Sequence, residues 1–146
     1  RGEEVVDARK QLLCGGFGQD LTDIIDPNRV AVGGFSFGAA TAAHVAASSP
    51  QDYTCCVLWD GWYHVENAGH RFDMPAVAFN KGIPIPTLFL GSEQFSRYEN
   101  LADATERLAS KCPGSVSRRV PGTGHQSFCD VIFWLPIWFL RRIGMP

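Results

Sequence analysis

Gly34-Phe35-Ser36-Phe37-Gly38 is a G-x-S-x-G pentapeptide set between a β-rich run, Val30-Ala31-Val32, and a row of small residues from Gly38 to Ala43 before Val45. The setting gives the pattern its meaning. A strand delivers the serine to a strained turn, the flanking glycines relieve the crowding, and a helix begins at once, so the hydroxyl is lifted clear of the sheet. The helix N-terminus and the Phe37 amide then face any negative charge that develops on an attacked carbonyl, which is one half of an oxyanion hole. The expected chemistry is nucleophilic attack by Ser36 on an acyl carbon.

A serine hydroxyl is a weak nucleophile unless a histidine takes its proton, and that histidine needs a carboxylate to orient it. His44 falls inside the helix after Ser36, His64 and His70 fall in a polar loop, and His125 follows a late strand in a glycine-bearing loop. The order serine, acid, histidine that accompanies such an elbow admits only a late histidine, so His125 is the expected base. His64, His70 and Asp73 match no standard metal-ligand spacing and are read as a solvated loop, so neither a metal nor a cofactor is expected. Two carboxylates compete for the acid. Glu93 follows the run Thr87–Leu90, where such an acid commonly sits, and Asp60 follows Trp59; chain context leaves the choice open.

The elements that must position these groups alternate. Val5, Val6, Ala8, Leu12 and Leu13 fall mostly on one helical stripe, closed by Gly15-Gly16. A short apolar stretch with Leu21, Ile24 and Ile25 precedes the turn Asp26-Pro27-Asn28. The small residues after Ser36 predict a helix pressed closely on a sheet. Thr54–Trp59 and Thr87–Leu90 are apolar throughout, as parallel strands covered on both faces are. Tyr98, Leu101, Ala102, Thr105, Leu108, Ala109 and Cys112 recur at helical spacing, opened by a Ser96-x-x-Glu99 capping box and closed by Pro113-Gly114. Val116–Val120 alternates as an edge strand does. Alternating strands and helices predict an α/β layer fold with a mostly parallel sheet flanked by helices.

Composition excludes several classes. The chain has 146 residues, 45% of them apolar, which is one globular domain or part of one. With 13 basic against 15 acidic side chains it offers no positive field for a phosphate backbone, so nucleic acid is not an expected partner. The longest apolar stretch, Val131–Leu140, contains Pro136 and is too short to span a bilayer, which takes about 20 apolar residues. Five cysteines, an odd number, imply no disulfide scaffold, and Cys55 and Cys56 read as two small buried hydrophobes. They leave the compartment open, with an intracellular one leaned to over a secreted one. No repeat, low-complexity tract or linker divides the chain.

Four blocks in order, Arg29–Thr41, Leu58-Trp59-Asp60-Gly61-Trp62, Pro86–Phe95 and Gly122–Asp130, resemble those of the platelet-activating factor acetylhydrolases. The resemblance implies an α/β-hydrolase fold and release of short or oxidised acyl groups from phospholipids without calcium. It assigns the acid to Asp60 and leaves Glu93 as a supporting loop residue. Where that family has His before the nucleophile and a second Gly after it, this chain has Phe35 and Ala39. The family's first strands, with the loop giving the second oxyanion hydrogen bond, would precede Arg1, and its last helix would follow Pro146. Residues 1–146 are therefore expected to be a partial, C-terminal portion of the domain, weak or inactive alone. The alternatives are another carboxylesterase or lipase of the same fold, or an inactive fragment serving as an interaction module.

Three further positions are candidates for the substrate pocket. Trp62 and Phe128 either line an acyl pocket or are ordinary core aromatics, and Gln126 stands beside the base. Val131–Leu140, with Phe133, Trp134 and Trp138 followed by Arg141-Arg142, is read as a helix packed on the sheet, with Pro136 kinking it or marking its start. Its other reading is contact with a membrane or lipoprotein surface, an option the resemblance raises.

Overall fold

The strand that begins in the β-rich run continues through two successive glycines, Gly33 and Gly34. In the computed structural model, which describes residues 1–67, 70–130 and 136–142, strand β1 spans Ala31–Phe35 and ends one residue before Ser36. Helices α1 (Gly2–Leu13) and α2 (Gln19–Ile24) precede it. Helix α3 (Phe37–Ser48) follows, then β2 (Cys55–Trp59), β3 (His64–Asn67), β4 (His70–Asp73) and α4 (Ala76–Lys81). Strand β5 (Thr87–Ser92), α5 (Glu99–Ala109), β6 (Val116–Val120) and α6 (Ile137–Arg142) complete the described elements.

Strands β1, β2, β5 and β6 form one sheet in that order, every pair parallel. The register sets Phe35 beside Trp59 and Trp59 beside Leu90, so the residues that follow these strands emerge side by side at one rim. Helix α3 packs as its small residues predict. Ala39, Ala40, Ala42, Ala43, Ala46 and Ala47 are all buried and share one core with Cys56 and Leu58 of β2, Phe89 of β5 and Leu108 of α5.

Four expectations need correction. Strand β2 is not buried throughout: Cys56 and Leu58 are, while Cys55, Val57 and Trp59 on the other face are half-exposed, and β5 likewise buries Thr87 and Phe89 but only half-buries Leu88 and Leu90. Burial pushes the Cys56 thiol up to about 12, whereas Cys55 is not enclosed. The segment around His64 and His70 is no solvated loop but an antiparallel hairpin, β3–β4, pairing His64 with Asp73. His64 is buried, and the Asp73 side chain ties the hairpin to α5 by pairing with Arg107. The predicted capping box does not form, because Ser96 lies in a short 3-10 turn, Phe95–Arg97, and its hydroxyl donates to the Glu93 carbonyl; α5 starts at Glu99. Finally, Trp138 and Phe139 of α6 are exposed, 66% and 37%, rather than packed on the sheet. Pro136 does mark the start of that helix, its carbonyl accepting from the Phe139 N–H; residues 131–135, which include Phe133 and Trp134, lie outside the described residues.

Candidate active site

Ser36 sits between the end of β1 and the start of α3 with φ of 56°, a left-handed conformation that a residue with a side chain enters at a cost of about 1–3 kcal/mol. Three backbone hydrogen bonds hold it there: its N–H donates to the Trp59 carbonyl at 2.9 Å, and its own carbonyl accepts from the Trp62 N–H at 3.0 Å and the Ala39 N–H at 3.1 Å. The close approach of strand and helix depends on Gly34. A Cβ at that position would lie 2.1 Å from the Gly38 carbonyl oxygen, whereas a Cβ on Gly38 would meet nothing within 4 Å. Only the first of the two flanking glycines is therefore required by crowding.

Asp60 leaves the next strand with φ of 41° and its N–H bonded to the Leu90 carbonyl at 2.8 Å. Its carboxylate is buried and collects three hydrogen bonds. Oδ1 accepts from the Ser92 N–H at 2.5 Å, and Oδ2 accepts from the Ser92 hydroxyl at 2.6 Å. Oδ2 also lies 3.1 Å from Nδ1 of His125, whose Nε2 is 3.0 Å from the Ser36 hydroxyl oxygen. The structure thus brings together Ser36, His125 and Asp60, three residues separated by 89 and 65 positions along the chain. With Nδ1–H donated to a carboxylate, Nε2 is left to accept the serine proton.

Glu93 does not reach the imidazole. Its Oε2 accepts from the Gly122 N–H at 2.8 Å and Oε1 pairs with Arg97 at 2.5 Å; these two contacts, the Gly122 one foremost, hold its carboxyl below the usual range. Glu93 supports the loop instead, together with Gln94. The Gln94 side chain accepts from the His125 N–H at 3.0 Å, and its N–H donates to the Thr123 carbonyl at 3.1 Å.

A cavity of about 570 Å³ opens beside His125, lined mainly by Trp62, Phe95, Tyr98 and Leu101. Of the three pocket candidates, Trp62 lines it. Gln126 and Phe128 do not: both lie in a 3-10 turn, His125–Phe128, and the Gln126 Oε1 is turned toward the Cys129 thiol at 2.9 Å. Phe37 begins α3, where the first N–H groups have no intrahelical acceptor and remain available to a ligand. Ser92, Gln94 and Phe95 escaped sequence reasoning. The one signal for them was their place at or just after the end of a strand, shared with Glu93.

Solved structures share this arrangement of elements. Dienelactone hydrolase from Anabaena variabilis superposes with a TM-score of 0.60 at 18% identity, covering 96% of this chain and 58% of that one. Est1E from Butyrivibrio proteoclasticus gives 0.56 at 13%, covering 96% and 67%. The fold is that of the α/β hydrolases. In sequence, the family described as platelet-activating factor acetylhydrolase, isoform II, matches residues 4–145. The chain belongs to that family. It is 30% identical over 119 residues to the platelet-activating factor acetylhydrolase of Canis lupus familiaris, covering 79% of this chain and 23% of that protein. It is 28% identical over 113 residues to that of Gallus gallus, covering 77% and 24%. The chain spans about a quarter of the length of these curated relatives. Among the described residues no helix is long and apolar enough to cross a membrane.

Proposed function

We propose that this chain carries the working end of a serine ester hydrolase, residues 1–146 forming part of an α/β-hydrolase domain. The observation behind the proposal is the 3.0 Å contact between the Ser36 hydroxyl and Nε2 of His125, on an elbow whose imidazole is tethered at Nδ1 to a buried carboxylate. In this reading Ser36 Oγ attacks the acyl carbon while its proton passes to Nε2. The tetrahedral oxyanion accepts a hydrogen bond from the Phe37 N–H, a donor of a kind worth about 10²–10³ in turnover. The leaving alkoxide takes the proton from Nε2, and water, activated by the same nitrogen, releases the acyl group and restores the hydroxyl. Asp60 stays ionised and keeps Nδ1 protonated throughout.

The substrate is an acyl ester of a phospholipid with a short or oxidised acyl group, cleaved without calcium, in lipid breakdown. Family membership supports this, as does an aromatic cavity beside the base with room for a short chain. Exposed Trp138 and Phe139, followed by Arg141 and Arg142, support contact with a membrane or lipoprotein surface, aromatic rings inward and cations at the headgroups.

A fluorophosphonate probe tests the nucleophile: the full chain is labelled at Ser36, and Ser36→Ala is not. Absence of labelling in the unaltered protein overturns the reading. Acetyl-phospholipid hydrolysed in preference to long-chain triglyceride, at a rate unchanged by a calcium chelator, supports the narrower substrate; the reverse preference makes the protein a different esterase.

A further inference from the structure

The imidazole of His125 has two aromatic neighbours. The Phe95 ring stacks on it with centroids 4.5 Å apart and planes 12° from parallel. The Phe35 ring stands at the same 4.5 Å with a 33° tilt. Phe35 and Phe95 form no ring pair with each other among the described aromatic contacts, so the two rings approach the imidazole from different directions. They arrive from different places, Phe35 from the last position of β1 and Phe95 from the turn after β5.

The Phe95 ring is well held. Phe95 is 6% exposed, its N–H donates to the Ser92 hydroxyl at 3.0 Å, and its edges meet Trp62 and Tyr98 at centroid distances of 5.9 and 6.2 Å. The Phe35 backbone is placed by the last position of β1, beside Trp59, and its side chain is half-buried. An imidazole is otherwise free to turn about its Cβ–Cγ bond, since torsions of that kind have broad, shallow wells. Turning it here would sweep its edge through space the two phenyl rings occupy. Its tether to Asp60 and its reach to Ser36 both depend on that one torsion.

We infer that Phe35 and Phe95 form an aromatic clamp on His125, positioning residues that hold the base with Nδ1 toward Asp60 and Nε2 toward Ser36. The inference rests on the serine-hydrolase reading above. Placing a reacting group matters at this scale, because a displacement of about 1 Å costs on the order of 10²-fold in rate.

Leucine at either position removes the flat face and keeps an apolar residue; tyrosine keeps the face. In the full chain acting on p-nitrophenyl acetate, Phe95→Leu and Phe35→Leu are each expected to lower kcat about tenfold or more with KM within about twofold, and Phe95→Tyr and Phe35→Tyr to restore most of it. The hydrogen-bonded Nδ1–H proton, read in the downfield region of the NMR spectrum, should persist in the tyrosine variants and be lost or broadened in the leucine variants. Unchanged kcat, a loss confined to KM, or a downfield proton retained in the leucine variants overturns the clamp. If the unaltered protein neither turns over the ester nor labels at Ser36, the hydrolase reading fails, and the downfield proton still decides whether the rings fix the imidazole.

Discussion

Ser92 holds Asp60 by both carboxylate oxygens, its backbone N–H on Oδ1 and its hydroxyl on Oδ2. The same hydroxyl accepts the Phe95 N–H, so one fully buried serine fixes the acid and the turn that presents Phe95 to His125.

Ser92→Ala removes the hydroxyl and leaves a buried carboxylate oxygen and a buried N–H each one partner short. Unmade hydrogen bonds of this kind cost about 1–3 kcal/mol. The variant should melt several degrees lower, and its turnover should fall further than its stability explains, because Asp60 and Phe95 both loosen. Thermal denaturation beside ester hydrolysis measures the two effects; unchanged turnover would mean that Asp60 is held well enough by the backbone alone.

The two carboxylates that chain context could not separate are separable by exchange for amides. Asp60→Asn donates where it should accept and forces the wrong tautomer on His125, a change that costs about 10⁴ in the serine proteases. Glu93→Gln breaks the exposed pair with Arg97 and weakens the bond to the Gly122 N–H, with an expected loss below about tenfold. Steady-state kinetics of both variants decide the matter, and a greater loss in Glu93→Gln would move the acid to Glu93.

Gly34→Ala and Gly38→Ala should differ in sign. The first sets a methyl group against the Gly38 backbone and should destabilise by about 1–3 kcal/mol or more. The second meets open space inside a helix, where Ala is preferred over Gly by about 1 kcal/mol, and should leave stability equal or slightly higher. Denaturant midpoints of the pair check this; equal destabilisation would show that the elbow needs both glycines.

Acid should loosen the hairpin. The Arg107 side chain, hydrogen-bonded to Asp73, holds that carboxyl below its ordinary 3.8. Its stabilising contribution is therefore complete above about pH 4 and is lost as pH falls through the lower folded-state value. The difference in melting temperature between the unaltered protein and Asp73→Asn should be largest near neutrality and shrink steadily as the pH falls below about 4. A difference that stays constant across that range would place the effect elsewhere.

Local chemistry was legible in the sequence where one short segment carries all of it. The elbow from Val30 to Ala43 needs only glycine, a serine and small helical residues in succession, and strand, turn and helix follow. His125 could be chosen by its order along the chain. Asp60 could not be chosen from chain context, because what separates it from Glu93 is a carboxylate's direction after it leaves the sheet. The hairpin at His64–Asp73 was missed for a related reason: its residues look polar in sequence, yet His64 is buried against the core and Asp73 is paired with an arginine 34 positions away. In sequence Phe35 stands out only as the residue where the family has His, and Phe95 only as part of a family block; their relation to His125 exists only after strand pairing has brought both rings beside it.

The third member of the constellation is also the last to be made. When Ser36 and Asp60 have already left the ribosome, the imidazole that would awaken the hydroxyl is still being added, and its cradle of Gln94, Phe35 and Phe95 stands empty. In the proposed reading, a nascent chain therefore has no base for Ser36 until residue 125 has been added, and the hydroxyl's activation waits on the last of the three to emerge.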